Sequence, residues 1–215
     1  MYLFTIKEEI ANAITHGIGV LLSIPALVFL IIFAANYGSA WDIVSFTIFG
    51  VSMLLLYLSS TLLHSITHKK TKDILEIIDH SAIYVLIAGT YTPFLLGPLK
   101  GTLGFTLLVI VWSLALGGIV FKIFFVKRFI LLSTFVYLVM GWLMIIAVKP
   151  LYASLSGAGF SLLFLGGILY SVGTIFYIWK KIPFHHAIWH SFVLGGSAAM
   201  FFCVLFYCVK VPFLS

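Results

Sequence analysis

Long apolar stretches separated by short polar connections run through the whole chain. Each stretch is about 20 residues long, which is the length an α-helix needs to cross the hydrocarbon core of a bilayer. No connection is low in complexity or resembles a linker between domains. The pattern predicts an all-α integral membrane protein with seven transmembrane helices, at residues 13–35, 42–64, 77–97, 102–121, 129–148, 159–180 and 186–210.

Length and composition agree with a single domain. Seven helices in 215 residues leave no room for a second domain, so residues 1–215 are expected to form one transmembrane unit. Apolar residues make up 63% of the chain and charged residues only 8%, which places it in the membrane class. The first apolar stretch is too long for a signal-peptide core and more stretches follow it, so it is expected to be a retained helix.

The distribution of lysine and arginine predicts the orientation. If the N-terminus is cytoplasmic, nine basic residues lie in inner segments: Lys7, Lys69, Lys70, Lys72, Lys122, Lys127, Arg128, Lys180 and Lys181. Three lie in outer segments: Lys100, Lys149 and Lys210. The positive-inside rule therefore favours a cytoplasmic N-terminus and an external C-terminus in the cell membrane. The net charge of +6 is explained by this topology and by attraction to anionic lipids, so membrane lipids are the expected partners and nucleic acid is not.

All seven histidines fall at the ends of apolar stretches that this orientation places inside. They are His16, His64, His68, His80, His185, His186 and His190. An ionisable side chain inside a membrane segment is costly, and it is therefore a functional-site hypothesis by default. Four predicted helices bring polar side chains to a similar depth in the inner third of the membrane, namely Asn12, His16, Ser60, His64, Asp79, His186 and His190.

The spacing of three of these histidines indicates a metal site. His186 and His190 are four residues apart and share one face of a helix, so both can bind one ion. His64, on another helix, lies at the matching depth. Three imidazoles with a fourth position open to water are the ligand pattern of a catalytic zinc site, so Zn²⁺ is the predicted cofactor.

Two further residues have positions suited to catalysis. Ser60 lies one turn from His64, so its hydroxyl could contact a bound water or an oxyanion. Asp79 could orient a histidine or act as a general base. Packing between membrane helices is the alternative role for Ser60. Glu9, Asn12 and His16 are further candidates for lining the site, whereas His68 abuts two lysines in the aqueous zone.

These motifs together resemble the hemolysin III family, the bacterial branch of the progestin and adipoQ receptor (PAQR) family. The resemblance rests on Ser60-x-x-x-His64, Asp79-His80-Ser81, His186-x-x-x-His190 and the opening Glu9-x-x-Asn12-x-x-x-His16-Gly17. It covers essentially the whole chain, and it implies seven helices with the N-terminus inside. It also implies that His64, His186 and His190 bind zinc with Ser60 and Asp79 beside the metal, and it places the chain in a superfamily of membrane hydrolases.

Three classes of function remain open on this basis. The first is a zinc-dependent hydrolase of a lipid amide or ester, with a role in membrane lipid homeostasis. The second is a pore-forming cytolysin, which would have to act as an oligomer because the outer halves of the helices carry few polar residues to line a pore. The third is a receptor-like membrane sensor in which zinc is structural.

Overall fold

The computed structural model describes residues 4–209, and within this range the chain contains helices and no strand. The α-helices are α1 (Ile6–Tyr37), α2 (Ala40–Ser65), α3 (Lys69–Leu96), α4 (Thr102–Phe125), α5 (Ile130–Trp142), α6 (Val148–Ile178) and α7 (His185–Tyr207). A short 3-10 helix, Leu143–Ala147, connects α5 to α6.

Six helical segments are long and apolar enough to cross a membrane. They are α1, α2, α3, α4, the continuous segment Ile130–Ile178 and α7. The all-α membrane class predicted from the sequence is therefore confirmed, and the chain is a multi-pass membrane protein.

The segment Ile130–Ile178 is not one straight rod. Trp142 and Ser171 are 29 residues apart, yet the indole Nε1 of Trp142 donates a hydrogen bond to Ser171 Oγ at 3.0 Å. A straight helix would separate them by about 43 Å. The backbone leaves the helical region at Ser156, where φ is 61° and ψ is 169°, and this break lets the second half of α6 return beside α5.

Several helices begin before the apolar stretches that predicted them. α1 begins at Ile6, where a start at 13 was expected, and α3 begins at Lys69, where 77 was expected. Hydropathy marks only the part of a helix that lies in lipid, whereas backbone hydrogen bonding continues into the polar flanks. At α1 a capping box between Thr5 and Glu8 sets the start. The predicted end of the last helix at 210, and the basic residue Lys210, lie outside the described residues.

The bundle has a buried apolar core that includes Leu30, Phe46 and Phe94, whereas α1 and α4 leave much of their apolar surface exposed. In α1 and α4 only 22% of the most apolar stretch is buried, and Leu21 and Phe124 are each 72% exposed. Asn12 and His16 on α1 are buried against the interior. α7 packs between α1 and α6, and α1 also packs on α2, so the N-terminal ends of α1 and α7 and the C-terminal end of α2 meet around one point.

Candidate metal centre

Three histidines meet at one end of the bundle. His64 is in the last turn of α2, and His186 and His190 are in the first two turns of α7. One ring nitrogen from each lies within 4.8 Å of the others. In the part of the chain that the structure describes, this group consists of three imidazoles and contains no cysteine or carboxylate. The geometry agrees with the expectation that these three side chains share one site.

The buried nitrogens of this cluster fit a metal ion. His64 Nε2 is buried and has no hydrogen-bond partner among residues 4–209. A buried polar atom without a partner is costly, and a bound cation would satisfy its lone pair. His190 is almost fully buried, and His186 is partly buried. Imidazole nitrogen is a preferred zinc ligand, so the donor set suits the predicted Zn²⁺.

The other ring nitrogen of His64 and of His190 is held by α1. His64 Nδ1 lies 2.5 Å from Glu9 Oε2, and His190 Nδ1 lies 3.2 Å from the carbonyl oxygen of Asn12. A carboxylate and a carbonyl can only accept, so each Nδ1 carries the proton and each Nε2 has its lone pair free. This is the tautomer that a metal-binding histidine requires, and the partners on α1 fix it.

Glu9 links three helices at this point. One carboxylate oxygen contacts His64 on α2, and the other accepts a hydrogen bond from Lys72 Nζ on α3. The sequence pattern offered Asp79 as the residue that orients a histidine and placed Glu9 among the possible lining residues. The carboxylate in contact with His64 is that of Glu9. The three-residue spacing of Glu9 and Asn12 puts both on one face of α1, but it does not show which helix that face contacts.

Ser60 and Asp79 line the same cavity as His186 and His190. Both are buried, and the Ser60 hydroxyl lies close enough to Asp79 to interact with its carboxylate. The carboxylate of Asp79 has His80 as a neighbour, with Asp79 Oδ2 3.8 Å from His80 Nδ1. The fold thus brings both predicted catalytic residues to the cavity beside the histidines, while their catalytic roles remain predictions.

His16 packs directly on one of the candidate ligands. Its ring stacks on that of His190 with centroids 3.5 Å apart and planes at 11°. It is 3% exposed, and neither ring nitrogen has a hydrogen-bond partner in the described chain. Asn12, one turn earlier on α1, is fully buried. Both residues therefore lie at the site, as the sequence predicted, with His16 on the cavity wall.

Two cavities meet at the histidine cluster. One extends from His190 between α2, α3, α5, α6 and α7, and its walls are mostly apolar. The other lies toward the end of the bundle where α1 and α7 begin and is lined by charged residues, including Glu9, Lys72 and Lys127. Asp79, His80, Tyr177 and His186 line both cavities. The cluster therefore stands between an apolar chamber and a charged vestibule.

The vestibule carries paired charges. Lys127, which lies between α4 and α5, donates to Asp73 Oδ1 at 2.5 Å, and its Nζ is 3.8 Å from Glu76 Oε2. The hydrogen bond to Asp73 raises the pKa of the Lys127 ammonium. Glu9 similarly pairs with Lys72. Because these charges neutralise one another, the vestibule has no strong excess of one sign.

Lys122 is not in an inner loop, as the charge pattern suggested. It lies in the last turn of α4, is fully buried, and its Nζ is 5.9 Å from the centre of the Tyr137 ring. Nζ has no hydrogen-bond partner among residues 4–209. The charge pattern could not show this, because one lysine near a helix end resembles an ordinary interfacial charge.

Comparison with known proteins gives one family and several relatives. A family model described as Haemolysin-III related matches residues 4–201. Over 202 residues the chain is 69% identical to Hemolysin-3 of Bacillus cereus, an alignment that covers 94% of this chain and 92% of the relative. Over 218 residues it is 28% identical to the monocyte to macrophage differentiation factor of Homo sapiens, which covers 97% of this chain and 87% of the relative.

Proposed function

Since this chain belongs to the haemolysin-III related family, we propose that it is a zinc-dependent hydrolase that cleaves an amide or ester bond in a membrane lipid. Such a protein would contribute to lipid homeostasis in the cell membrane. The observation that carries the proposal is the cluster of His64, His186 and His190, in which one ring nitrogen from each lies within 4.8 Å of the others and the buried Nε2 of His64 has no hydrogen-bond partner among residues 4–209.

The proposed chemistry divides between the metal and the side chains. Zinc bound at such a site would lower the pKa of water and polarise a carbonyl group. Asp79 would accept the proton of the water, and the Ser60 hydroxyl would donate a hydrogen bond to the carbonyl oxygen. Water adds its oxygen to the acyl carbon, the C–N or C–O bond breaks, and the amine or alcohol leaves with a proton. The products are a fatty acid and the lipid's polar part.

The surroundings of the site support a lipid as the substrate. The cavity beside His190 is enclosed by apolar and aromatic side chains, among them Leu56, Ile83, Leu86 and Trp189. Such walls admit an acyl chain and exclude soluble polar compounds. The charged vestibule on the other side of the cluster would provide water and accept the polar product.

The transmembrane topology is part of the same proposal. Ile130–Ile178 reverses between Trp142 and Ser171, so we place two crossings in this segment and seven in the chain. With the N-terminus inside, the site faces the cytoplasm, where most of the basic residues lie.

Zinc content and lipid hydrolysis, measured together, test the proposal. The purified protein should contain one zinc per chain and release fatty acid from a lipid amide or ester in mixed micelles. His190→Ala should lose most of the zinc and the activity. His68→Ala should keep both, because His68 is exposed at the start of α3. Full zinc content in His190→Ala, or no hydrolysis of any lipid by the zinc-loaded protein, would overturn the proposal.

A cytolytic function is the second candidate, favoured by the name Hemolysin-3 of the Bacillus cereus relative. A pore needs a polar lining along its whole length. The polar groups of the described chain concentrate at the inner end of the cavity, and its outer end is walled by Tyr91, Trp142 and Met200. Lysis would therefore require an oligomer. If His190→Ala releases a trapped dye from vesicles as well as the unmodified protein does, this result would favour cytolysis over hydrolysis.

A receptor-like sensor with structural zinc is the third candidate. Structural zinc sites are closed by four protein ligands. The cluster in residues 4–209 contains three imidazoles, and this favours the site with an open fourth position.

A further inference from the structure

The apolar cavity has a definite length, because residues at known helical positions line both of its ends. On α3 the lining runs from Asp79 to Tyr91, and on α7 it runs from His186 and His190 to Met200. At 1.5 Å per residue, Tyr91 lies about 18 Å beyond Asp79, and Met200 lies about 15 Å beyond His190. The lining residues on α3 and on α7 thus give nearly the same depth for the apolar cavity.

Two residues that line the outer end of the cavity have side chains held by hydrogen bonds. The Tyr91 hydroxyl is 2.7 Å from the carbonyl oxygen of Met140, to which it donates, and it accepts from the backbone N–H of Met144 at 2.9 Å. Trp142 donates its indole N–H to Ser171 Oγ. Neither ring can swing away without breaking buried hydrogen bonds, and each such loss is costly.

The flexible side chain of Met200 also lines the outer end of the cavity. It is 6% exposed and lies against Gly166 of α6, where a Cβ added to the glycine would come within 2.7 Å of Met200 Cε. The absence of a side chain at Gly166 therefore makes room for Met200. An unbranched thioether fills the remaining space at the end of the cavity.

We propose that Tyr91, Trp142 and Met200 set the length of the acyl chain this protein accepts, with Met200 as the adjustable stop. This inference rests on the proposed function, since it takes the acyl carbonyl to lie at the histidine cluster. A staggered hydrocarbon chain with C–C bonds of about 1.5 Å advances about 1.25 Å per carbon, so a depth of about 15–18 Å holds about 12 to 14 carbons. Longer chains would have to bend or leave their ends outside the cavity.

Binding of saturated fatty acids, the proposed acyl product, tests the inference without relying on turnover. The probes are fatty acids from about 8 to about 20 carbons, a range that brackets the expected length. Affinity for the purified zinc-loaded protein in detergent is measured for each. The affinity should rise with length to an optimum near about 12 to 14 carbons and then stop rising, because further methylenes find no apolar surface inside.

Met200→Ala should move the optimum to longer chains by about three carbons, one for each heavy atom removed. Met200→Leu is a milder change that can be used if the alanine variant folds poorly. It should lengthen the optimal fatty acid by about one carbon. Met53→Ala is the matched control: Met53 is also buried, in α2, but does not line the cavity, so the optimum should stay where it is.

The outcomes separate this inference from the function on which it rests. An optimum that Met200→Ala leaves unchanged, or affinity that climbs steadily through the longest probe, would overturn the length limit and leave lipid hydrolysis standing. If no fatty acid of any length binds and the zinc-loaded protein also hydrolyses no lipid, both the inference and the proposed function fall.

Discussion

Glu9 contacts His64 across the interface between α1 and α2, with Glu9 Oε2 2.5 Å from His64 Nδ1. The same carboxylate accepts a hydrogen bond from Lys72 on α3. A carboxylate in this position fixes the ring of a metal-binding histidine and makes its free nitrogen a better ligand. The first turn of α1, which lies before the apolar stretch, therefore belongs to the candidate metal centre.

Glu9→Gln should weaken zinc binding without unfolding the protein. Glutamine keeps the size of the side chain but loses the charge that accepts the His64 N–H, and the loss of such a partner costs about 10- to 100-fold in metal affinity. Competition with a chelator measures the effect. Glu8→Gln is the control, because the hydrogen bonds of the Glu8 carboxylate go to Thr5 and the backbone N–H of Phe184 and not to His64, His186 or His190. Equal zinc affinity in Glu9→Gln and the unmodified protein would contradict the assigned role of Glu9.

Asp79→Ala distinguishes a catalytic zinc from a structural one. If Asp79 is a general base, the variant should retain zinc and lose activity by about 10²-fold or more, because the three imidazoles remain. If Asp79 closes the coordination sphere, zinc content and thermal stability should fall together. We expect zinc to be retained. Asp73→Ala, which removes an exposed partner of Lys127, should change neither zinc content nor activity.

Lys122→Met should stabilise the protein. The ammonium group is fully buried without a hydrogen-bond partner in the described chain, and burial of such a group costs about 1–3 kcal/mol. Methionine keeps the packing against Tyr137 and removes this cost. Thermal unfolding in detergent checks the prediction, with Lys127→Met at the vestibule as a comparison. A less stable Lys122→Met protein would show that the buried cation makes a favourable interaction.

Reporter fusions should give a cytoplasmic signal at His68 and an external signal after Ser215, a residue outside the described range. A third insertion at Ser156, where the helix is broken, decides how often Ile130–Ile178 crosses. Two crossings place Ser156 outside the cell. A cytoplasmic reporter at Ser156 would reduce the number of crossings, and an external reporter at His68 would place the histidine cluster on the other face of the membrane.

Much of the fold followed from local properties of the chain. A run of about 20 apolar residues must form a helix in lipid, because every backbone N–H and C=O needs a partner there. The membrane class and the approximate helix positions were therefore predictable. The helix ends were less predictable. A charged turn such as Lys69–Lys72 has no hydropathy signal, although it forms the start of α3. The reversal at Ser156, by contrast, falls in the connection at 149–158 that the hydropathy pattern left between the fifth and sixth predicted helices.

The grouping of His64 with His186 and His190 was also within reach of the sequence. Depth in the membrane follows from counting residues at a fixed rise per residue, and a spacing of four puts two histidines on one face. Depth says nothing about which helices are neighbours. It therefore could not show that Glu9 contacts His64, or that His16 stacks on His190, because both contacts depend on how α1 packs against α2 and α7.

The sequence by itself determined the membrane environment, the shared depth of the polar groups and the pairing of His186 with His190, because these depend on hydropathy and helical repeat alone. Only the tertiary structure decided which carboxylate orients His64, where Lys122 is buried and where the apolar cavity ends. Those features depend on lateral packing among helices. Packing is set by side-chain shapes that meet from distant parts of the chain, and a one-dimensional pattern does not contain that information.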